Sequence, residues 1–353
     1  MGRSRGPRWG LSSRHREHRT MVGKMHRCRI FALVSLCLVA GVTQEVTGIC
    51  QEVKQDKPAM SVDEAIRQLN APAALDQEKA EEALALWGPD ARAAVPAIVA
   101  ILEQDLPFVR TGLLHVLVAI GPDAKEAVPV LMKTAGNQNF HARYLSCRAL
   151  GRLGPAAKPA VGLLIKALRD NVTSVRRNAA EALGRLGPAV APEAVKPLID
   201  TIDDPLVPVR EEAVRALGDF GDLAKPAIPA LEAAAFSPQS RVQAQAALAL
   251  WKLTKNAQPL LPVLKELLHG GNLEWEAAQV LGEMGPAAEP VVPDLIAALE
   301  RGDESVQIFT AEALGRIGPA AKPALPALRK LLEHDEPELR ELAAQVIKLI
   351  EAD

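Results

Sequence analysis

Gly-Pro recurs along this chain at Gly88-Pro89, Gly121-Pro122, Gly154-Pro155, Gly187-Pro188, Gly285-Pro286 and Gly318-Pro319. The first four pairs are 33 residues apart, and so are the last two. The 98 residues between Gly187 and Gly285 span close to three more periods, with Gly221-Asp222 and a degenerate Thr254-Lys255 at matching phase. A fixed period of this size marks a solenoid, in which one supersecondary unit is stacked many times. A length of 353 residues would otherwise suggest two or three globular domains. A solenoid escapes that division because it grows in one dimension without a single core. Aromatic residues make up only 3% of the chain. A core of Ala and Leu suits close helix stacking and argues against a β-sandwich.

One period, residues 171–203, shows the unit. Val175, Ala179, Ala182, Leu183 and Leu186 fall on one helical stripe. Asn171 or Ser174 is placed to cap its start. Gly187 is expected to end this helix in a left-handed C-cap, and Pro188 stops its continuation. Pro192 suits the first turn of a second helix, whose apolar face is Val195, Leu198, Ile199 and Ile202. Each unit is therefore an antiparallel pair, helix A then helix B. The plan also fits 75–104, 107–136, 138–170, 205–237, 238–270, 271–302 and 303–334. The expectation is an all-α superhelix of about eight pairs, capped by a lone helix near 61–70 and a final one near 336–350.

A column of arginines marks the A helices: Arg110, Arg143, Arg176 and Arg210, with Arg340 at the same phase in the closing helix. Asp105, Asn137, Asn171, Asp204 and Asp335 stand five or six residues before them. This reads as a structural ladder. Guanidinium forks bridge neighbouring turns by satisfying loop carbonyls or the acid of an adjacent unit. Three successive units lose the arginine, which becomes Gln243, Glu274 and Gln307, and Gly-Pro is lost at Thr254-Lys255. Trp251 and Trp275 flank this stretch. With Tyr144, at the phase of Trp275, and Phe236, they are the best candidates for interface anchors. Packing within the solenoid is the plainer reading of each. On the B helices, Lys133, Lys166 and Lys330 share nearly one phase with Asp200 and Glu266. The mixed signs there make no single-charge groove; a solvated face is the plainer reading, and a peptide or protein groove, with the three lysines as candidate partner-binding residues, is the functional one.

Runs such as Ser174-Val175-Arg176-Arg177 through Gly187-Pro188, and their counterpart at 306–323, resemble HEAT repeats. More narrowly they resemble the HEAT-like repeats named after the phycobilisome lyases. The resemblance covers 61–350. It implies an α-α superhelix of the HEAT or armadillo kind. It specifies function poorly, because such repeats occur in scaffolds, in a chromophore lyase family and in a metal-dependent hydroxylase family.

The N-terminus is of a different kind. Residues 1–30 hold nine Lys or Arg and a single acid, Glu17. Ile30 to Val42 follows as an uncharged apolar run, then polar residues. That order describes a secretory signal, with cleavage after Gly41 or Gly48, and the run is short for a membrane span. An uncleaved anchor is the alternative. Residues 1–48 are thus read as a basic leader and signal, 49–60 as a linker and 61–353 as the solenoid, placing the protein in the periplasm or cell envelope. Met21 or Met25 is a possible true start. Beyond residue 30 there remain 32 bases against 42 acids, which disfavours nucleic acid as a ligand. Cys28 and Cys37 lie in the leader. Cys50 and Cys147 remain, and no disulfide framework is suggested.

No chemistry-bearing constellation emerges. His115, His141, His269 and His334 are far apart, and none belongs to a His-Glu dipeptide of the kind used by the hydroxylase family. No Gly-x-Ser-x-Gly occurs. The sequence therefore reads as a non-catalytic, exported scaffold for a protein or peptide partner, without cofactor or nucleic acid. Any membrane contact would run through the signal. The alternative is a divergent enzyme of the lyase or hydroxylase type.

Overall fold

The computed structural model describes Pro58 and residues 60–104, 109–237, 242–270 and 273–352. The expectations for the leader and most of the linker lie outside the described residues, as does Asp105. The described residues carry helices and no strand. The eight A–B pairs are α2 Ala74–Trp87 with α3 Val95–Glu103, α4 Thr111–Ile120 with α5 Val128–Thr134, α6 Phe140–Leu153 with α7 Val161–Ala167, α8 Thr173–Leu186 with α9 Ala191–Thr201, α10 Val207–Asp219 with α11 Ile228–Phe236, α12 Gln243–Thr254 with α13 Leu261–Leu268, α14 Glu274–Met284 with α15 Val292–Arg301, and α16 Glu304–Ile317 with α17 Leu325–Leu331. A single helix, α1 Val62–Gln68, precedes them and α18 Pro337–Glu351 follows.

Each A helix packs on the A helices of its neighbours and on the helix that ends the preceding unit, so a B helix lies mainly against the A helix that follows it. In α8 the predicted stripe, Val175, Ala179, Ala182, Leu183 and Leu186, is buried. A fully buried leucine contributes about 2 kcal/mol relative to exposure, so these stripes supply the main driving force for stacking. In α9, Val195, Leu198 and Ile202 are buried, while Ile199 stays half-buried at the rim of a cavity described below.

The corner differs from the expected αL cap. Gly187 has φ +81° and ψ −172°, and Gly154 has φ +60° and ψ −137°. Positive φ with strongly negative or extended ψ is open essentially to glycine alone. In six corners, seven residues of 3-10 helix then intervene before helix B, as in Gly154–Ala160 and Gly318–Ala324. Proline in the first turn presets φ and needs no N–H partner there. Five of these six corners bury two alanines completely, such as Ala157 and Ala160, and the sixth buries Ala288 and Val291, so successive corners stack closely. The degenerate corner does adopt the αL conformation: Lys255 has φ 53° and ψ 22°, and its N–H bonds Trp251 O at 2.9 Å.

Neither residue expected to cap α8 does so. The N-cap is Val172, whose own N–H is instead held by Asp170 Oδ1 at 2.9 Å. Ser61, Asn139 and Asp303 cap α1, α6 and α16 with their side chains.

A second glycine column lies inside the A helices, three residues before the corner glycine. A Cβ on Gly151 would meet Ala182 Cα at 2.9 Å, one on Gly184 would meet Ala216 Cα at 3.1 Å, and one on Gly218 would meet Ala249 Cα at 3.1 Å. Gly282 faces Ala313 in the same way, at 3.2 Å. These glycines permit near backbone-to-backbone approach of consecutive A helices. Trp251 occupies this position in α12, and the contact between α12 and α14 is the sparsest in the A-helix stack.

Candidate partner-binding site

Two members of the arginine column, Arg143 and Arg176, form inter-unit ties to acids that sit six residues before the next ladder position. Arg143 donates through Nε and Nη2 to the two carboxylate oxygens of Asp170, at 2.7 and 2.9 Å. Arg176 does the same to Asp204, at 2.7 and 3.2 Å. In each case Nη1 donates to a carbonyl of the arginine's own turn, Asn137 O for Arg143 and Asp170 O for Arg176. A rung residue thus offers its carbonyl to its own unit and its carboxylate to the preceding one. Burial works against ionisation of Asp170 and Asp204. Hydrogen bonds from the guanidinium and from a backbone N–H outweigh it, and both carboxyls lie below their ordinary pKa.

Several expected members take other roles. Asn171 is not the rung. Asp170 is, and Asn171 Oδ1 only receives a peripheral bond from Arg143 Nη2 at 3.3 Å. Asn137 contributes its carbonyl, while its side chain accepts from Asn139 N–H. Arg110 pairs with Glu81, 2.9 Å from Nε, and with Leu69 O. Arg340 donates to His334 O and Asp335 O, so Asp335 acts through its backbone. The spacing that identifies the rungs was visible at Asp204 and Arg210, and the adjacent Asp170-Asn171 pair obscured it.

The ladder fails after Arg176. Arg210 donates from Nη1 to Asp204 O at 2.8 Å and makes no further hydrogen bond. Its rung position is Ser237, and Ser237 to Arg241 includes no acid. Beyond it, single amide donors replace the forks, Gln243 to Ala235 O at 3.2 Å and Gln307 to Leu299 O at 3.4 Å. A different network holds the next B-helix turns. Asp294 accepts from Lys265 at 3.1 Å and bonds His269 at 2.8 Å, while Arg301 reaches Leu268 O.

A half-open cavity of about 510 Å3 lies where the ladder stops. Ile199 and Ile202 of the α9 end, Asp200, Asp203, Arg210 and Ala233 of α11 are among its lining residues. Asp200 faces Lys196 at 3.7 Å and Arg169 at 4.0 Å, whereas exposed Asp203 makes no ion pair.

The aromatic candidates do not converge. Trp251 is half-buried, donates from Nε1 to Glu283 O at 3.2 Å and carries the Lys255 ammonium 5.2 Å from its ring centre. It ties α12 to α14. Trp275 is 37% exposed and stacks on Phe309 with centroids 5.2 Å apart. Phe236 is exposed at the end of α11, and Tyr144 is half-buried near His141 on α6. The three lysines also differ. Lys330 pairs with Glu300 at 2.8 Å, Lys133 reaches Glu103 O at 3.5 Å, and Lys166 is exposed.

Two carboxyl groups that sequence reading did not single out, on α14 and α16, each carry a buried oxygen without a partner. Glu312 is 8% exposed and its Oε1 has no partner, and neither has Oε2 of Glu276. Burial raises each carboxyl to about 7, with the Arg316 charge opposing the rise at Glu312. Cys147 is a buried free thiol, pushed up to about 12 by burial. Among the described residues, no group of three His, Cys, Asp or Glu converges as metal ligands.

HEAT-repeat profiles match residues 128–209, 161–251, 195–275 and 271–348, together more than half of the chain. The chain belongs to the HEAT-repeat family. Among curated proteins none matches its sequence. Its HEAT solenoid is similar to solved karyopherin structures. One is the karyopherin Kap121p bound to the extreme C-terminus of the protein phosphatase Cdc14p, with TM-score 0.53 and 18% identity over 82% of this chain. Another is Kap121p bound to Pho4p, with TM-score 0.52 and 17% identity over 82% of this chain. The HEAT chain spans only 37% of the length of either karyopherin. Likeness at this level of identity is one of fold.

Proposed function

We propose that this HEAT protein is a non-catalytic scaffold that holds a protein or peptide partner. The observation that carries the reading is the interruption of the ladder at Arg210, beside the 510 Å3 cavity. A regular solenoid closes its inter-unit seams with its own ion pairs. Here a seam is left with an unpaired cation, an unpaired acid and apolar walls, a combination that suits a peptide-like guest. The solved karyopherins, bound to the extreme C-terminus of Cdc14p and to Pho4p, support the reading by analogy of fold. The Gly-Pro corners and the Ala-Gly-rich A helices support placement near the phycobilisome-lyase-like HEAT repeats. The basic leader and the apolar run at 30–42 support export.

The test is affinity capture from the native envelope fraction, comparing wild-type protein with Trp275→Ala and Arg210→Gln. The scaffold reading expects one protein recovered in fixed stoichiometry and depleted by at least one substitution. Stoichiometric iron or a chromophore on the purified protein would overturn it in favour of an enzyme.

A further inference from the structure

We propose that Arg210 is a carboxylate-binding site, and that its ligand is an extended peptide segment in which an acidic side chain lies close to a basic one. The inference rests on the scaffold reading and narrows it to a place and a chemistry.

The molecule itself shows what this guanidinium is shaped to hold. Arg143 and Arg176 occupy the equivalent position in the two preceding units, and both grip a carboxylate with Nε and Nη2. All three arginines anchor Nη1 on a carbonyl of their own turn. Arg210 therefore has the same anchored fork, with Nε and Nη2 unbonded. Asp204 lends Arg210 only its carbonyl, and its carboxylate is turned to Arg176 and to Leu206 N–H. The residue that would supply the missing carboxylate is Ser237. Anchoring has already immobilised the side chain, so a guest carboxylate gains a bidentate, charge-assisted pair at reduced entropic cost.

The cavity also limits the guest. A lone anion would meet Asp203, which has no cationic partner and lines the same space. A guest bearing a base near its acid satisfies both charges. The apolar walls, Ile199, Ile202 and Ala233 among them, accommodate the intervening aliphatic chain. A volume of about 510 Å3 is enough for a few side chains and too small for a folded domain.

The experiment titrates the full-length protein with a fluorescent, end-blocked peptide Gly-Glu-Ala-Lys-Gly, followed by polarisation. Matched peptides carry Gln for Glu, with the C-terminus either blocked or left as a free carboxylate. The Glu peptide should bind at least tenfold more tightly than its Gln form. A C-terminal carboxylate that restores binding would identify a chain end as the source, and failure to restore it would identify a side chain. Arg210→Gln should weaken the Glu peptide about tenfold. Ser237→Asp should weaken it comparably, by supplying the internal rung that occupies the same fork. A thermal melt of Ser237→Asp no lower than that of the wild type separates its loss of binding from misfolding. Lys158→Gln, an exposed change away from the cavity, should leave binding unchanged. Equal affinity for Glu and Gln peptides, or binding that survives both Arg210→Gln and Ser237→Asp, overturns the proposal. A native partner captured equally by wild type and Arg210→Gln would remove this site and leave the scaffold reading standing.

Discussion

Arg176 and Arg210 stand one unit apart at the same repeat position, yet they are embedded differently. Arg176 has an exposure of 13%, holds Asp204 bidentately and closes a seam between units. Arg210 keeps only the carbonyl contact and borders a cavity. The local sequence around both is regular, and the difference originates at the turn into the following unit, where Asp gives way to Ser237. In a stack of nearest-neighbour units a position's role is set partly by its neighbour. A ladder therefore has an end, and that end is chemically unlike its interior.

The sharpest way to break this contrast is to truncate both arginines. Arg176→Ala leaves Asp204 largely buried without its ion partner, and should cost about 3 kcal/mol in urea denaturation. Arg210→Ala should cost less than about 0.5 kcal/mol. Equal losses would show that Arg210 has a structural partner after all.

Next in size is the close approach of A helices. Gly184→Val places a branched side chain against Ala216, whose Cα is 3.1 Å from the added Cβ. A loss of about 2 kcal/mol is expected. The paired change Val118→Gly, at the same repeat position in α4, opens space instead and should cost about 1 kcal/mol by removing a buried side chain. A cheap Gly184→Val would mean that the A stack yields more easily than its spacing indicates.

In the interrupted region, Glu312 makes stability depend on pH. Its folded carboxyl sits at about 7, above the ordinary 4.5, so the folded state binds the proton more tightly than the unfolded state does. Stability from this group is present below pH 4.5 and is lost as pH rises to about 7. Glu312→Gln should flatten that slope and stabilise the protein at pH 8 by about 1–3 kcal/mol. A variant with the same pH profile as wild type would show that the carboxyl is solvated. The smallest expected effect is Ser237→Asp, a gain of about 0.5–1 kcal/mol as Arg210 acquires its rung, measured by thermal melting with and without salt.

The repeat period, the eight pairs, both end helices and the apolar stripes were legible in the sequence because each follows from local spacing: Gly-Pro stops, helical periodicity and chain length. The arginine ladder was visible too, though its acid was misplaced at Asn171. Either Asp170 or Asn171 satisfies a one-dimensional spacing, and only the turn decides which side chain reaches back to Arg143. The glycines at 151, 184 and 218 were hidden for a similar reason. A glycine within a helix looks like a weak position until the backbone of the next helix is seen against it. Trp251 and Trp275 looked equivalent in sequence, yet one ties two A helices together and the other faces solvent.

What the sequence determined by itself is the unit and its repetition, since hydrophobic period and backbone stops act within one unit of chain. What only the tertiary structure decided is the seam between units: which donors find acceptors, how near two backbones come, and where a cation is left over. Those outcomes depend on ångström-scale offsets between segments some thirty residues apart, and hydrogen bonds and close packing are sensitive to distances of that size.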